Sequence, residues 1–238
     1  MQQALCSIDQ WIKTRQVHYV CVTPAHAVMN CYWSSQLRHI YNCSGLTTPD
    51  GMSIVWLLKL QGFRKVERVY GPDLLQAVCQ NSLTHEYTHY FYGGAQGVVE
   101  RLSQRLIQKY SGLRIVGLES PPFRELSPEE DEAAGQRMRT ANPDIVWIGI
   151  GSPRQEKWMA DHLKRVGSPV MIGIGAAFDF ISGNKPQAPK WMQRSGLEWF
   201  FRLVSEPKRL WRRYLLHYPY FAMLVLLQQM GVKKYPIN

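Results

Sequence analysis

"DIVWIGIGSPRQEKWM", residues 144–159, decides how the rest of the chain is to be read. Its first half is an apolar, β-branched run of the length of one buried strand, closed by Gly149 and Gly151. Its second half carries helix-start signals: Ser152 as N-cap, Pro153 at the first helical position, and Gln155 completing an S-x-x-Q capping box. A buried strand that turns through glycines into a helix is the building unit of a parallel sheet. In such sheets ligands gather where strand C-terminal ends meet helix N-termini, because unpaired backbone N–H groups and the helix dipole attract anions there. The stretch therefore has two readings, a capped turn or a phosphate or sugar site with Gly151 beside the ligand and Gln155 reaching a hydroxyl. A dinucleotide fingerprint fits poorly, since the third glycine of G-x-G-x-x-G is absent and the motif comes late in the chain.

Working outward, five further short β-branched runs end in glycine or a turn: "VHYVCVT" (17–23), "VERVYG" (66–71), "HYFYGG" (89–94), "RIVGLE" (114–119) and "PVMIGIG" (169–175). They alternate with longer helical stretches, which predicts an α/β fold, a mostly parallel sheet with helices on both faces. Ser127-Pro128-Glu129-Glu130 predicts another helix start, with an N-cap, a first-turn proline and acids at the positive helix end. After about Gly183 the strand signals stop and basic helical sequence follows to the end.

Composition supports a folded chain with a local charge anomaly. The 238 residues are 45% hydrophobic and 12% aromatic, enough for a sizeable core. The net charge of +10 is concentrated: residues 185–238 hold ten Lys/Arg against two acids, and residues 1–184 hold eighteen against sixteen. The five cysteines, Cys6, Cys21, Cys31, Cys43 and Cys79, form no C-x-x-C pair and no zinc spacing with histidine, which predicts a reducing compartment and no structural metal. No leader pattern opens the sequence, and the longest apolar run, Leu215 to Leu227, is interrupted by His217 and Pro219, so no spanning helix is expected.

Several residues at the expected strand ends could carry chemistry. In "TTPDGMSIVW", Asp50 is either part of a turn or a general base at the sheet rim, able to take a proton from a sugar hydroxyl. In "CVTPAH", Thr23 is either a helix cap or, with His26, a polar group at the same rim, and Arg68 beside Gly71-Pro72 is either a surface residue or part of that rim. Gly93 and Gly94 in "FYGGAQG" either close a turn or admit a phosphate. Near the end, Pro207 predicts the start of a helix on which Lys208, Arg209, Arg212 and Arg213 fall within roughly one 140° arc, opposite Leu210, Trp211, Tyr214, Leu215 and Tyr218. Such a helix suits an anionic membrane surface, a solvated face, or a diphosphate held by guanidinium groups. No nucleic-acid-binding module is present to favour a nucleic-acid partner.

Seven ordered blocks, "TPDGMSIVW", "ERVYGPDL", "FYGGAQGVVERL", "SPPFREL", "IGIGSPRQEKWM", "GIGAAFDFISGNKPQAPKWM" and "GLEWFFRLVSEPKRLWRRYL", together resemble the WecG/TagA/CpsF family of bacterial glycosyltransferases. The resemblance implies an inverting, metal-independent transfer of an N-acetylmannosamine-type or other hexose from a UDP-sugar to a polyprenyl-diphosphate-linked saccharide. It implies no cofactor, a Rossmann-like core over 1–184, and a basic appendage over 185–238 that meets the cytoplasmic face of the bacterial inner membrane and completes the active site. Carried onto this sequence, Asp50 resembles the base, Thr23 and Gln155 the polar groups around the sugar, and Arg68 a further site residue. Arg202, Arg209 and Arg212 resemble the arginines that reach the diphosphate. Homo-oligomers are also implied. Where many members carry an asparagine two residues after the threonine, this chain has Thr23-Pro24-Ala25-His26, which leaves the donor sugar open. Rival readings are a nucleotide-dependent oxidoreductase and a non-enzymatic basic lipid-binding module.

Overall fold

The computed structural model describes residues 1–235, so the last three positions of the expected 185–238 appendage lie outside the described residues. Six strands, β1 (His18–Thr23), β2 (Leu46–Pro49), β3 (Thr88–Gly93), β4 (Arg114–Glu119), β5 (Ile145–Gly149) and β6 (Val170–Gly173), form one sheet in the order β2-β1-β6-β5-β3-β4. Every neighbouring pair runs parallel. The helices are α1 (Gln2–Thr14), α2 (Ala25–Trp33), α3 (Ser35–Asn42), α4 (Met52–Leu60), α5 (Gly71–His85), α6 (Val98–Lys109) and α7 (Pro128–Ala141). They continue with α8 (Arg154–His162), α9 (Ala177–Ser182), α10 (Lys190–Arg194), α11 (Glu198–Ser205), α12 (Pro207–Arg212), a π-helical turn over Arg213–His217, and α13 (Tyr218–Gln229).

The period-two alternation of each central strand feeds two cores. Val20, Phe91, Trp147 and Ile172 face α1, α5, α6 and α9 on one side of the sheet. Their neighbours Cys21, Tyr92, Ile148 and Met171 face α3, α7 and α8 on the other. A third, smaller cluster joins Ala25 and Met29 of α2 and Ile54 of α4 to Phe221 and Leu224 of α13. The C-terminal helices are thus clamped onto the rim of the sheet by apolar contacts.

Five of the six expected strands form. "VERVYG" does not: only one backbone bond, from Val69 N to Pro49 O at 2.9 Å, ties it to the sheet, and Gly71 already begins α5. Its place is taken by β2, "LTTP", an edge strand on which Pro49 leaves no inner ladder bond unmade. The capping box expected at Ser152 is also absent. Helix α8 starts at Arg154 with Pro153 at the N-cap, Ser152 Oγ makes no hydrogen bond, and the Gln155 amide is engaged by its neighbour Glu156. Ser127 caps α7 as expected, in a full capping box with Glu130.

Gly93 ends β3 at φ 136°, and a Cβ there would stand 2.4 Å from the Gly149 carbonyl carbon on β5. Gly93→Ala is therefore expected to cost more than about 2 kcal/mol, read as a lowered urea midpoint with unchanged slope.

Candidate active site

Two cavities of about 140 Å³ each open at the C-terminal ends of the strands and meet at Pro24, Asp50 and Arg202. Asp50 directly follows β2, and its backbone N–H donates to the Thr23 carbonyl at 3.1 Å, so the pairing of β1 with β2 places its side chain at the rim. The Arg68 Nε–H donates to the Asp50 carbonyl oxygen, and the Arg68 guanidinium lies 4.1 Å above the Tyr70 ring. Arg68 Nη2 stands 2.6 Å from Glu198 Oε2 on α11 but 3.8 Å from Asp50 Oδ1. Asp50 Oδ1 is buried and has no hydrogen-bond partner. Burial pushes the Asp50 carboxyl up to about 6, against the pull of Arg68 and Arg202 and with the Glu198 charge adding to the rise. The result is a carboxylate poised to exchange a proton near neutral pH.

The first cavity is walled by Trp56 of α4 and by Trp199, Tyr214 and Tyr218 of the C-terminal helices. The second is lined by Gly151, Gln155 and Gly175 from the sheet and by Arg202, Arg209 and Arg213 from above. Gly151, at φ 86°, has open space where a Cβ would lie, so backbone and ligand can approach closely. Among the described residues Arg209 pairs with Glu206 at 2.6 Å, whereas neither Arg202 nor Arg213 has a carboxylate within ion-pair distance. Arg202 Nε is buried without a partner. Burial and the neighbouring cations Arg202 and Arg209 depress Arg213, and burial with Arg213 and Arg202 holds His26 well below its ordinary value, hence neutral. Crowded cations lacking counter-charges form a site for an anion carrying more than one negative charge.

The structure brings together Asp50, Arg68, Gln155, Gly151, Arg202 and Arg209. Thr23 lines neither cavity: its hydroxyl donates to the Cys21 carbonyl at 3.0 Å, and its own carbonyl positions Asp50. Gly93 packs against β5, while Gly94 borders a separate cavity of about 500 Å³ with Phe123, Arg124 and Arg154. Arg212 is exposed, its guanidinium 5.3 Å from the Trp211 ring centroid, and lines neither cavity at Asp50. Arg213 takes the inward place. Sequence reasoning passed over Arg213 and Glu198 as site residues; the i, i+4 spacing of Glu198 and Arg202 and of Arg209 and Arg213 was the available signal, each pair on one helical face.

The profile of the glycosyl transferase WecG/TagA/CpsF family matches residues 1–235. The chain belongs to this family. It is a glycosyltransferase, which displaces the oxidoreductase and non-enzymatic readings. It is 29% identical to the N-acetylglucosaminyldiphosphoundecaprenol N-acetyl-beta-D-mannosaminyltransferase of Bacillus subtilis strain 168, over 82% of this chain and 74% of that protein. The protein of the same name from Bacillus spizizenii strain W23 is 30% identical over 75% of this chain and 66% of its own length. Among the described residues no group of three or more His, Cys, Asp or Glu side chains is placed to hold a metal ion.

The elevated Asp50 carboxyl has a thermodynamic consequence. The folded state binds this proton more tightly than the unfolded chain, so stability falls as pH rises through the unfolded value and then through about 6. Asp50→Asn is expected to unfold at a higher temperature than the wild type at pH 8, by about 1–3 kcal/mol of stability, with the difference closing below about pH 4. Paired thermal melts across that range check it.

Proposed function

We propose that this family member catalyses an inverting, metal-independent transfer of a sugar from a UDP-sugar to a polyprenyl-diphosphate-linked saccharide, working peripherally at the cytoplasmic face of the bacterial inner membrane. One observation carries the reading: the Asp50 carboxylate, 3.8 Å from Arg68 and with its Oδ1 free of hydrogen bonds, faces a group of arginines short of counter-charge across a shared cavity. An inverting reaction needs a base on the acceptor hydroxyl on one side of the anomeric carbon and a stabilised leaving group on the other. Asp50 takes the proton of the acceptor hydroxyl in the Trp56-walled cavity as that oxygen bonds to the anomeric carbon. The bond from the anomeric carbon to the UDP oxygen breaks, and Arg202, Arg209 and Arg213 take up the charge that grows on the diphosphate, supplying what a divalent cation would otherwise supply.

Gln155 and Gly151 border the sugar and diphosphate, and Thr23 acts by fixing Asp50. The cavity at Gly94, with the Phe123 ring and the cations Arg124 and Arg154, suits the nucleoside end of the donor. The helices after residue 184 serve both as lid over the reacting centre and as the part that meets lipid, with Arg212 left on the outer surface. The names of the Bacillus relatives point to an N-acetylmannosaminyl donor. In this chain Ala25, two residues after Thr23, is buried against Phe221 and Leu224 and offers the sugar no hydrogen bond, so a panel of UDP-hexoses is the direct assay of donor identity.

In that assay Asp50→Asn is expected to lose about 10²–10⁴-fold in kcat/KM, the range of general-base catalysis. Retention within tenfold overturns the assignment. The acid limb of the wild-type pH profile is expected near 6. Glu198→Gln frees Arg68 to close on Asp50, so the limb moves to lower pH by about one unit or more.

A further inference from the structure

Trp56 and Leu60 of α4 and Phe63 just beyond it recur at i, i+4 and i+7, and all three are exposed. Leu60 and Phe63 keep 68% and 62% of their surfaces in contact with solvent, although both lie far from the basic tail in sequence. On α11 and at its N-cap, Leu197, Phe200 and Val204 recur at i, i+3 and i+7 and are exposed as well. The two rows converge at one place. The Trp56 ring packs so closely on Gly196 that a Cβ there would stand 2.5 Å from it, and Trp56, Gly196 and Trp199 all line the cavity that leads to Asp50.

The charges around these rows are predominantly positive. Residues 52–66 contain Lys59, Arg64 and Lys65 and no acid, and the exposed Glu67 that follows lies 3.6 Å from the N-terminal ammonium of Met1. From residue 185 onward the acids are Glu198 and Glu206, both turned into ion pairs with side chains only 13% and 22% exposed. Exposed aromatic and leucine side chains edged by cations complement an anionic bilayer, where the rings enter the headgroup region and the cations meet phosphate. A second copy of this chain would bring like charges face to face. Among the described residues no helix is long and apolar enough to cross a membrane.

We propose that α4 and α11 together form a two-walled seat on an anionic bilayer, with the mouth of the Asp50 cavity between the walls at headgroup level. This goes beyond the proposed function, in which only the C-terminal helices meet lipid, and depends on that reading solely for what enters the cavity. A lipid-linked diphosphate then reaches Asp50 by lateral movement, its diphosphate staying at the depth of the headgroups.

The test uses the full chain and sedimentation with two kinds of vesicle, phosphatidylcholine alone and phosphatidylcholine mixed with phosphatidylglycerol. Leu60→Ser combined with Phe63→Ser is expected to lower partitioning onto both by about tenfold or more. Thermal melts and transfer to a short-chain, water-soluble lipid-diphosphate acceptor should stay at wild-type level, since neither residue lines a cavity at Asp50. Arg64→Gln with Lys65→Gln should weaken only the phosphatidylglycerol-dependent part, the part that salt also removes. Wild-type vesicle binding by the Leu60/Phe63 variant overturns the proposal. So does sedimentation equilibrium showing that the variant breaks a dimer while vesicle binding persists, which would assign the face to a second copy. Loss of vesicle binding in a protein that transfers no sugar from any UDP-hexose would leave the lipid seat standing and remove the catalytic reading instead.

Discussion

The Arg68 guanidinium sits between two carboxylates that reach it from distant parts of the chain, Glu198 at 2.6 Å and Asp50 at 3.8 Å. A buried carboxylate without a cation would be too costly to keep ionised, and one in close contact with a cation would be too weak a base. The uneven division of Arg68 holds Asp50 between those limits. It also means that the proton affinity of Asp50 depends on where the C-terminal helices rest, because Glu198 rides on α11. The seating of α13 on α2 through Phe221, Leu224, Ala25 and Met29 is thus a packing contact with an electrostatic consequence.

The other half of the site runs on the opposite imbalance. Arg202 on α11 and Arg213 on the π-helical turn are gathered over the strand ends without a carboxylate at ion-pair distance, and the burial of Leu210 and Tyr214 beside Arg213 holds that turn in place. His26 beneath them is kept neutral by its burial and then by the same field. Burial with Arg202 and Arg209 depresses Arg213, so unfavourable charge that an anionic ligand would relieve is stored at that position, whereas Arg202, against the pull of its own burial, is raised by Tyr214, Glu198 and Asp50. The carboxylate and the arginines lie on one continuous space because β1 and β2 deliver Asp50 to the rim that the C-terminal helices cover.

The apolar rows on α4 and α11 extend this logic outward. Trp56 belongs to both the wall of the cavity and the exposed row, so the surface that would meet lipid and the space that would receive the acceptor share a side chain. Placing the acidic residues of the tail in internal ion pairs leaves the outer face to cations. On α11, Glu198 turns inward to its ion pair with Arg68 while Phe200 and Val204 stay exposed.

By itself the sequence determined the parallel α/β architecture, the concentration of basic charge after residue 184 and the family, and it offered the rim of the sheet as one of two readings of Asp50. Each of these rests on local pattern: β-branched apolar runs, glycine-closed turns, ordered motifs. It misread "VERVYG" as a strand because β-branched residues report a preference for extended backbone and not the presence of a pairing partner. It expected a Ser152 capping box because the spacing was right, whereas the adjacent Glu156 takes the Gln155 amide. The tertiary structure alone decided that Arg213 faces the cavity and Arg212 the solvent, that Thr23 positions Asp50, and that Glu198 competes for Arg68. The physical reason is separation along the chain: Arg68 and Glu198 are 130 residues apart, and the balance of charge at a buried group is set by whatever the fold brings within a few ångströms, which no local periodicity records.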